Sequence, residues 1–287
     1  MTVSVIIPTY NRITLLPRAI DSVLMQGMPD VEVIVVDDGS TDGTEQCVYE
    51  NYSDVRYVKQ PNLGVSAARN IAIKQAKGEW IALLDSDDEW LEGKLTAQLS
   101  ELNKTEVKVC HTQEIWVRNG VRVNQMDKHK KSGGYIFNNC LPLCAMSPSS
   151  IVIHKDVFDD VGLFDESLPA CEDYDLWLRI SALYEVAYLE QPYLRKYGGH
   201  EDQLSRQHWG MDRFRVIALD NLLKNTKYVE KLSKKNVDAA LIMLLKKLKI
   251  LLKGAVKHNN QLLITDCQTK LDYWEQSINE GEGRQLC

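Results

Sequence analysis

The sequence from Ser4 to Asn11 reads SVIIPTYN, an apolar β-branched run that gives way to proline and polar residues. A short run of this kind, bounded by turn-forming residues, is typical of a buried parallel strand. Two further runs share this character, Val31 to Val36 and Trp80 to Leu84, and Val55 to Val58 is a weaker fourth. The first ninety residues therefore predict three or four parallel strands.

Helix-like stretches fill the intervals between and after these runs. They are Thr14 to Met25, Asp42 to Tyr52, Val65 to Ala76 and Leu91 to Leu102. Gly78 follows the third stretch and is expected to be its C-terminal stop. Strands that alternate with helices form a doubly wound, mostly parallel sheet, which binds ligands at the carboxyl ends of its strands. We therefore expect an α/β fold with a site at those ends.

Polar residues follow each of these strands directly. The groups are Pro8 to Arg12, Asp37 to Ser40 and Asp85 to Asp88. In Asp85-Ser86-Asp87 the two carboxylates lie on the same side of an extended chain. Carboxylates of this kind, together with substrate phosphates, suit Mg²⁺ or Mn²⁺. The alternative is a solvated turn in which Asp88 caps the following helix.

The other two carboxylate groups also allow alternatives. Asp37-Asp38-Gly39-Ser40 predicts either an Asx-type turn, with Asp42 as a helix N-cap, or a carboxylate that accepts a hydrogen bond from a nucleobase. Glu172 to Asp175 begin an amphipathic helix, where the dipole favours carboxylates whatever their role. A carboxylate at a rigid helix end also suits a general base, and at this point both interpretations remain open.

Length, charge and cysteine content narrow the classes of function. The 287 residues, 44% of them hydrophobic, can bury a full core, and a net charge of −6 argues against wrapping a nucleic acid. The seven cysteines contain no C-x-x-C pair, so we expect reduced thiols, with Cys140 and Cys144 as a weak metal signal. Because Val3 to Pro8 resembles a first strand and no apolar run approaches ~20 residues, we expect neither a signal peptide nor a membrane span. The expected location is cytoplasmic.

The second half of the chain changes character twice. From Val107 to Tyr197 short strands are mixed with one helix, Glu172 to Leu183, and beyond Trp209 the pattern is helical. The predicted short strands are Ser150 to Ile153, Val186 to Leu189 and Tyr193 to Tyr197. Between Lys224 and His258 there are ten lysines against two acidic residues. This basic segment on an acidic chain predicts a local partner.

The basic segment contains an amphipathic helix. One face holds Leu241, Leu244, Leu245, Leu248, Leu251, Leu252 and Ala255, and the opposite face holds Lys246, Lys249, Lys253 and Lys257. The leucine face predicts packing on neighbouring helices or on a second copy of the chain. The alternative is peripheral contact with the anionic inner face of a membrane, where a lipid-linked acceptor would be found.

Five motifs in a fixed order resemble a known family. They are SVIIPTYN (Ser4 to Asn11), VVDDGST (Val35 to Thr41), GVSAARN (Gly64 to Asn70), LDSDD (Leu84 to Asp88) and EDYDLWLR (Glu172 to Arg179). Together, over roughly residues 1 to 205, they resemble the inverting nucleotide-sugar glycosyltransferases of family 2. The resemblance implies a GT-A type doubly wound, mostly parallel sheet. Residues 1–106 would form its nucleotide-sugar-binding half, 107–206 its acceptor-binding and catalytic half, and 207–287 a C-terminal helical extension.

The resemblance also implies a role for each matching residue. The donor site would contain Pro8, Thr9, Tyr10, Asp38, Gly64, Arg69, Asp85 and Ser86, with Asp38 at the base. A divalent cation, Mn²⁺ or Mg²⁺, would be held by Asp87 and His200, and Asp173 would be the catalytic base. The alternative for His200 is a surface-loop histidine beside two acidic residues. The Q-x-x-R-W signature of processive members is incomplete, because Gln207 stands in place of tryptophan.

The implied function is transfer of a sugar from a nucleoside diphosphate sugar, with a leaning to UDP, onto a glycan or lipid-linked acceptor in cell-surface glycan synthesis. A nucleotidyltransferase that makes nucleotide sugars is an alternative, but it would need a glycine-rich loop where this chain has Pro8 to Arg12. A non-catalytic scaffold would be favoured by loss of Asp38, Asp87 or Asp173. All three are present.

Overall fold

A mixed sheet forms the centre of the computed structural model, which describes residues 1–199 and 208–283, with side chains to residue 278. Its nine strands within these ranges are β1 (Val3–Thr9), β2 (Val31–Asp37), β3 (Arg56–Lys59), β4 (Trp80–Leu83), β5 (Glu89–Trp90), β6 (Val109–Arg118), β7 (Val121–Val123), β8 (Ile151–His154) and β9 (Ala187–Gly198). They follow the order β3-β2-β1-β4-β8-β6-β9-β5, and β7 pairs with β6.

Helices surround this sheet and continue beyond it. They are α1 (Leu16–Leu24), α2 (Thr44–Asn51), α3 (Val65–Gln75), α4 (Lys94–Thr105), α5 (Phe137–Cys140), α6 (Asp156–Val161), α7 (Glu172–Leu183), α8 (Asp212–Lys224), α9 (Thr226–Val229), α10 (Lys234–Lys257) and α11 (Gln261–Gly283). The predicted α/β fold with a C-terminal helical region is confirmed.

The first four strands in the spatial order are parallel. β1 pairs in parallel with β2 and β4, and β2 pairs in parallel with β3. Thr9 lies opposite Asp37, so the carboxyl ends of β1 and β2 are level. β8 then runs antiparallel to β4 and to β6. The polar residues that follow β1, β2 and β4 are therefore brought to one edge, as expected.

Both faces of the parallel strands are buried, which explains their continuous apolar runs. Val5 and Ile7 belong to a core cluster with α1 and α4, whereas Ile6 lies in a second cluster with α3 and α7. Alternate residues of one strand thus enter opposite layers. The strand ends can carry polar groups because both layers are already filled by the residues before them.

The ten-residue strand β6 in the second half of the chain was not predicted. β6 contains His111, Thr112, Gln113 and Glu114 in succession, and such a polar run does not resemble a strand. Its pairing with β9 supplies the context, and β9 itself joins the two predicted strands Val186 to Leu189 and Tyr193 to Tyr197 into one. Non-local pairing therefore overrides local pattern in this half of the sheet.

Gly78 was predicted as a helix stop, and that prediction is wrong. α3 ends at Gln75, with Ala76 already extended. A Cβ atom on Gly78 would lie 2.5 Å from the backbone nitrogen of Ser4 and 2.7 Å from the carbonyl carbon of Val3. Glycine is required here because the chain passes against the backbone of β1.

The leucine face of α10 packs within the chain. Leu244, Leu248 and Ala255 are buried, and the other four members of that face are half-buried. The helix contacts α8 and α11, and buried Lys247 donates to Asp212 Oδ1 and to the carbonyl of Pro142, each at 2.9 Å. This face therefore packs on neighbouring helices of the same chain, as one of the two predictions had it. None of the described helices combines the length and hydropathy that a bilayer crossing requires.

Candidate active site

A cleft of about 630 Å³ opens at the carboxyl ends of β1, β2 and β4. The first turns of α3 and α7 form its other walls. Every predicted site residue among those described lines it: Pro8, Thr9, Tyr10, Asp38, Gly64, Arg69, Asp85, Ser86, Asp87 and Asp173. His200 lies outside the described residues. The structure thus brings together side chains that are up to 165 positions apart in sequence.

The two aspartates after β2 have different environments. Asp37 forms the Asx-type turn, because its Oδ1 accepts from the backbone N–H of Ser40 at 2.7 Å and its other oxygen accepts from the Tyr57 hydroxyl. Asp38 lies at the cleft and accepts from the backbone N–H groups of Leu63 and Gly64 at 2.8 and 2.9 Å. Asp38 thereby holds the loop that leads into α3. The Asx-type turn predicted for this motif is formed by Asp37 and not by Asp38.

The end of β1 presents a buried hydroxyl, that of Thr9, which the described residues leave without a partner. Thr9 is 3% exposed, and its Oγ1 has no hydrogen-bond partner among the described residues although it borders the cleft. Tyr10 is 47% exposed beside it. Since a buried hydroxyl without a partner costs free energy, this position suits a ligand that supplies one.

One serine hydroxyl organises the acidic turn after β4. Ser149 Oγ accepts from the backbone N–H of Asp85 at 3.0 Å and donates to Asp88 Oδ2 at 2.6 Å. Asp88 Oδ1 accepts from the backbone N–H of Tyr197 at 2.9 Å. Asp88 was predicted as a helix cap, but β5 follows it and α4 begins only at Lys94, so its carboxylate instead ties the turn to β9.

This turn concentrates negative charge. Burial, together with the charges of Asp87 and Asp85, raises the pKa of Asp88 well above its usual value. Within the described part of the cleft, carboxylates outnumber cationic side chains six to three. Such a cleft would bind an anionic diphosphate more weakly without an accompanying cation.

The acidic turn fits a hard divalent cation. Asp85 and Asp87 supply carboxylate oxygens, which Mg²⁺ and Mn²⁺ use together with phosphate oxygens of a substrate. The described residues contain no cluster of three or more His, Cys, Asp or Glu side chains able to hold a metal. The carboxylates of the acidic turn therefore fit a cation that is also bound by the phosphates of a ligand.

Arg69 connects two of the predicted motifs. Its guanidinium donates to Glu172 Oε1 at 2.8 Å and to Asp85 Oδ1 at 2.7 Å, and the side chain is 4% exposed. Burial acts to lower the pKa of Arg69, but the charges of Asp85 and Glu172 outweigh it and raise the pKa above its usual value. Arg69 therefore links the end of β4 to the start of α7 as well as lining the cleft.

The contacts of Glu172 and Asp173 separate their roles. Glu172 is buried and paired with Arg69, and burial and the charge of Asp173 raise its pKa against the effect of that pair. Asp173 is only half-buried; its Oδ1 accepts from the backbone N–H of Tyr174 at 2.7 Å and its Oδ2 from the Cys144 thiol at 3.0 Å. Because a thiol is a weak donor and Glu172 is paired with Arg69, Asp173 is the more available of the two carboxylates.

Three residues that line the cleft or contact its lining were not assigned to the site from the sequence. Ser149, Cys144 and Lys196 belong to the second half of the chain, where no motif marks them. The Cys144 thiol donates to Asp173 Oδ2, and burial and the Asp173 charge raise the pKa of this thiol well above its usual value. All six cysteines in the described ranges are unpaired, as expected.

Comparison with known proteins adds the relatives of this chain. A protein from Rickettsia felis described as an uncharacterized glycosyltransferase is 32% identical over 220 residues, which cover 71% of this chain and 35% of that protein. The Escherichia coli UDP-Glc:alpha-D-GlcNAc-diphosphoundecaprenol beta-1,3-glucosyltransferase WfgD is 33% identical over 181 residues, covering 62% of this chain and 69% of that enzyme. The chain spans from 31% to 60% of the length of the five Rickettsia relatives.

Solved structures share the architecture. S. aureus TarS 1-349, in a crystal structure with UDP-GlcNAc, superposes with a TM-score of 0.67 at 19% identity, over 98% of this chain and 92% of that one. At this identity the similarity establishes the GT-A fold alone. The model of the family named glycosyl transferase family 2 matches residues 4–162. This match, with the strand-end cleft and the E. coli relative, shows that the chain belongs to glycosyl transferase family 2.

Proposed function

We propose that the chain is a metal-dependent, inverting glycosyltransferase that moves a sugar from a UDP-sugar to an acceptor hydroxyl. The observation that carries the proposal is the position of Asp173 in the same cleft as Asp38, Asp85 and Asp87. The pair between Arg69 and Glu172 supports it, because this pair occupies the neighbouring carboxylate and leaves Asp173 as the base. The family match gives the reaction class.

The reaction would be an in-line displacement at the anomeric carbon. Asp173 accepts the proton of the acceptor hydroxyl, a role worth roughly 10²- to 10⁴-fold in rate. Asp87, with Asp85 beside it, would hold Mn²⁺ or Mg²⁺, which when bound neutralises charge on the departing diphosphate. Thr9, Tyr10 and Asp38 would hold the nucleoside, with the unpartnered Thr9 hydroxyl as a ready contact.

A single displacement inverts the anomeric centre. A double displacement would need a second carboxylate as nucleophile on the opposite face of the sugar. Asp38, Asp88 and Glu172 each accept hydrogen bonds or ion pairs from other parts of the chain. Asp173, whose Oδ2 accepts from the weakly donating Cys144 thiol, is our choice for the base, and with no second carboxylate assigned as nucleophile we expect inversion.

The names of the relatives support a class of sugar donor and a class of acceptor for this chain. The name of the E. coli relative contains a UDP-sugar and a lipid-linked diphosphate acceptor, and a second E. coli relative is a chondroitin synthase. We infer that this chain likewise uses a UDP-sugar and extends a glycan or a lipid-linked acceptor in the synthesis of cell-surface glycans. The expected location is the cytoplasmic side of the membrane, where such acceptors meet nucleotide sugars.

Thermal-shift screening of nucleoside diphosphates with and without Mn²⁺ tests this proposal. UDP with Mn²⁺ should raise the melting temperature most, and calorimetry should show that Asp87→Ala removes the metal-dependent part of UDP binding while the fold is retained. Asp54→Ala, at an exposed aspartate outside the cleft, is the matched control and should bind as the wild type does. Unchanged metal-dependent binding in Asp87→Ala would contradict the assigned metal site.

A further inference from the structure

Lys196 lies outside all five motifs and contributes a cationic side chain to the cleft. It is on β9, one residue before Tyr197, whose backbone N–H donates to Asp88 Oδ1 at 2.9 Å. This hydrogen bond fixes the end of β9 against the acidic turn after β4. Lys196 lines the cleft together with Asp85 and Asp88. Its position is therefore set by the sheet and not by a mobile loop.

The carboxylates around Lys196 already have hydrogen-bond donors of their own. Burial acts to lower the pKa of Lys196, and the charges of Glu114, Asp88 and Asp85 raise it above its usual value, so the side chain is a cation at neutral pH. The side-chain ammonium of Lys196 forms no ion pair or hydrogen bond with any residue in the described ranges. The donors are Lys131 for Glu114 at 3.0 Å, Ser149 for Asp88 at 2.6 Å and Arg69 for Asp85 at 2.7 Å.

The Lys196 ammonium, which no described side chain pairs directly, lies where an anionic ligand would need positive charge. Of the three cationic side chains that line the described cleft, Arg69 is held by two carboxylates. We propose that Lys196 binds the diphosphate of the nucleoside diphosphate donor and supplies the chain's own positive charge to the leaving group. The ligand class rests on the proposed function; the availability of the ammonium rests on the contacts alone.

The chemistry assigns Lys196 a larger effect in the transition state than in the ground state. As the bond between the anomeric carbon and the β-phosphate oxygen breaks, its electron pair passes to that oxygen and the diphosphate gains negative charge. A compact ammonium held in a partly dry cleft stabilises this charge without reorganisation. Lys196 would thus act beside the divalent cation and would still contribute when the cation is chelated.

The competing role for Lys196 is compensation of the nearby carboxylates alone. In that case loss of the charge would lower stability and weaken every ligand of the cleft equally. A diphosphate-binding role predicts discrimination instead, because only ligands with a diphosphate lose a contact. UDP and uridine share the nucleoside, so the ratio of their affinities isolates the diphosphate.

Calorimetric titration of UDP and uridine into the wild type, Lys196→Met and Lys196→Arg, each with Mn²⁺ and with EDTA, tests the proposal. Lys196→Met should bind UDP about ten- to a hundredfold more weakly in both conditions, the range of one lost charged hydrogen bond, with uridine unchanged. Lys196→Arg should retain most of the preference for UDP. Lys246→Met removes a lysine charge from the exposed face of α10 and should match the wild type. Lys196→Gln replaces Lys196→Met if the latter does not fold.

The outcomes separate the two proposals. Wild-type binding of UDP with an unchanged affinity ratio in Lys196→Met would overturn the role of Lys196 and leave the proposed function standing. Equal weakening of UDP and uridine, with a lowered melting temperature, would also overturn it in favour of charge compensation. Absence of UDP binding by the wild type with Mn²⁺ would contradict the proposed function and the assigned ligand together.

Discussion

Removal of the Arg69 guanidinium should destabilise the fold more than any surface ion-pair loss. Arg69→Met leaves the buried carboxylate of Glu172 without its cation and takes from Asp85 one of its hydrogen bonds. Breaking a buried pair by removing one partner costs about 3–5 kcal/mol, because the remaining charge stays desolvated. Lys59→Met is the matched control: its pair with Glu45 is more than 40% exposed on both sides, and its loss should cost at most about 1 kcal/mol.

The pH dependence of this loss identifies its cause. Burial and the charge of Asp173 already raise the pKa of Glu172, and removal of Arg69 raises it further. A carboxyl whose folded-state pKa exceeds its unfolded value stabilises the fold below that value and loses this contribution as pH rises. The deficit of Arg69→Met should therefore grow from pH 5 to pH 8 in urea unfolding, and Glu172→Gln in the same chain should recover part of it. A deficit below 1 kcal/mol, or one independent of pH, would refute this reasoning.

Three further predictions concern particular positions. Burial lowers the pKa of Lys94 to about 7, so between pH 7 and pH 10 only the unfolded chain binds this proton and the free energy of unfolding should rise with pH. Urea unfolding of Lys94→Met should show a smaller rise over this range. Parallel pH profiles of wild type and variant would contradict the prediction. Gly78→Ala places a Cβ atom against the backbone of β1 and should lower the free energy of unfolding by about 1–3 kcal/mol. Gly254→Ala, which has open space around it in α10, should be neutral or stabilising. Equal melting temperatures of the two variants would show that β1 shifts to accommodate the added methyl group. Because the leucines of α10 are packed, the protein should not sediment with anionic liposomes at low salt, and sedimentation that falls as salt rises would establish a membrane surface.

The sequence predicted the parallel half of the sheet because local pattern and burial agree there. β1, β2 and β4 have apolar residues on both faces, and the polar residues that end them lie at one edge by topology. The grouping of Asp38, Asp85 and Asp87 in one cleft follows directly. The roles assigned to these residues stay predictions, since they depend on ligands.

The antiparallel half of the sheet was harder to predict from the sequence because its strands form through pairing with segments distant in sequence. In the sequence β6 is a polar segment, and only its pairing with β8 and β9 makes it a strand. Likewise, nothing in the sequence distinguishes Lys196 from other lysines, because its proximity to the acidic turn arises from the fold. Asp88 was misassigned for the same reason: its partners Ser149 and Tyr197 are 61 and 109 residues away. Glu172 and Asp173 were separable only by the contact of one with Arg69 and the other with Cys144.

The most direct measurement is UDP release from the best-binding UDP-sugar, with the wild type and Asp173→Asn compared in the presence of Mn²⁺ and a glycan acceptor. Because Asp173 would act on the acceptor and not on the nucleotide, the variant should lose at least about a hundredfold in turnover while its calorimetric affinity for UDP stays within a factor of about two. Turnover by Asp173→Asn near the wild-type rate would contradict the assignment of Asp173 as the base. Loss of UDP affinity equal to the loss of turnover would place Asp173 in the donor site instead.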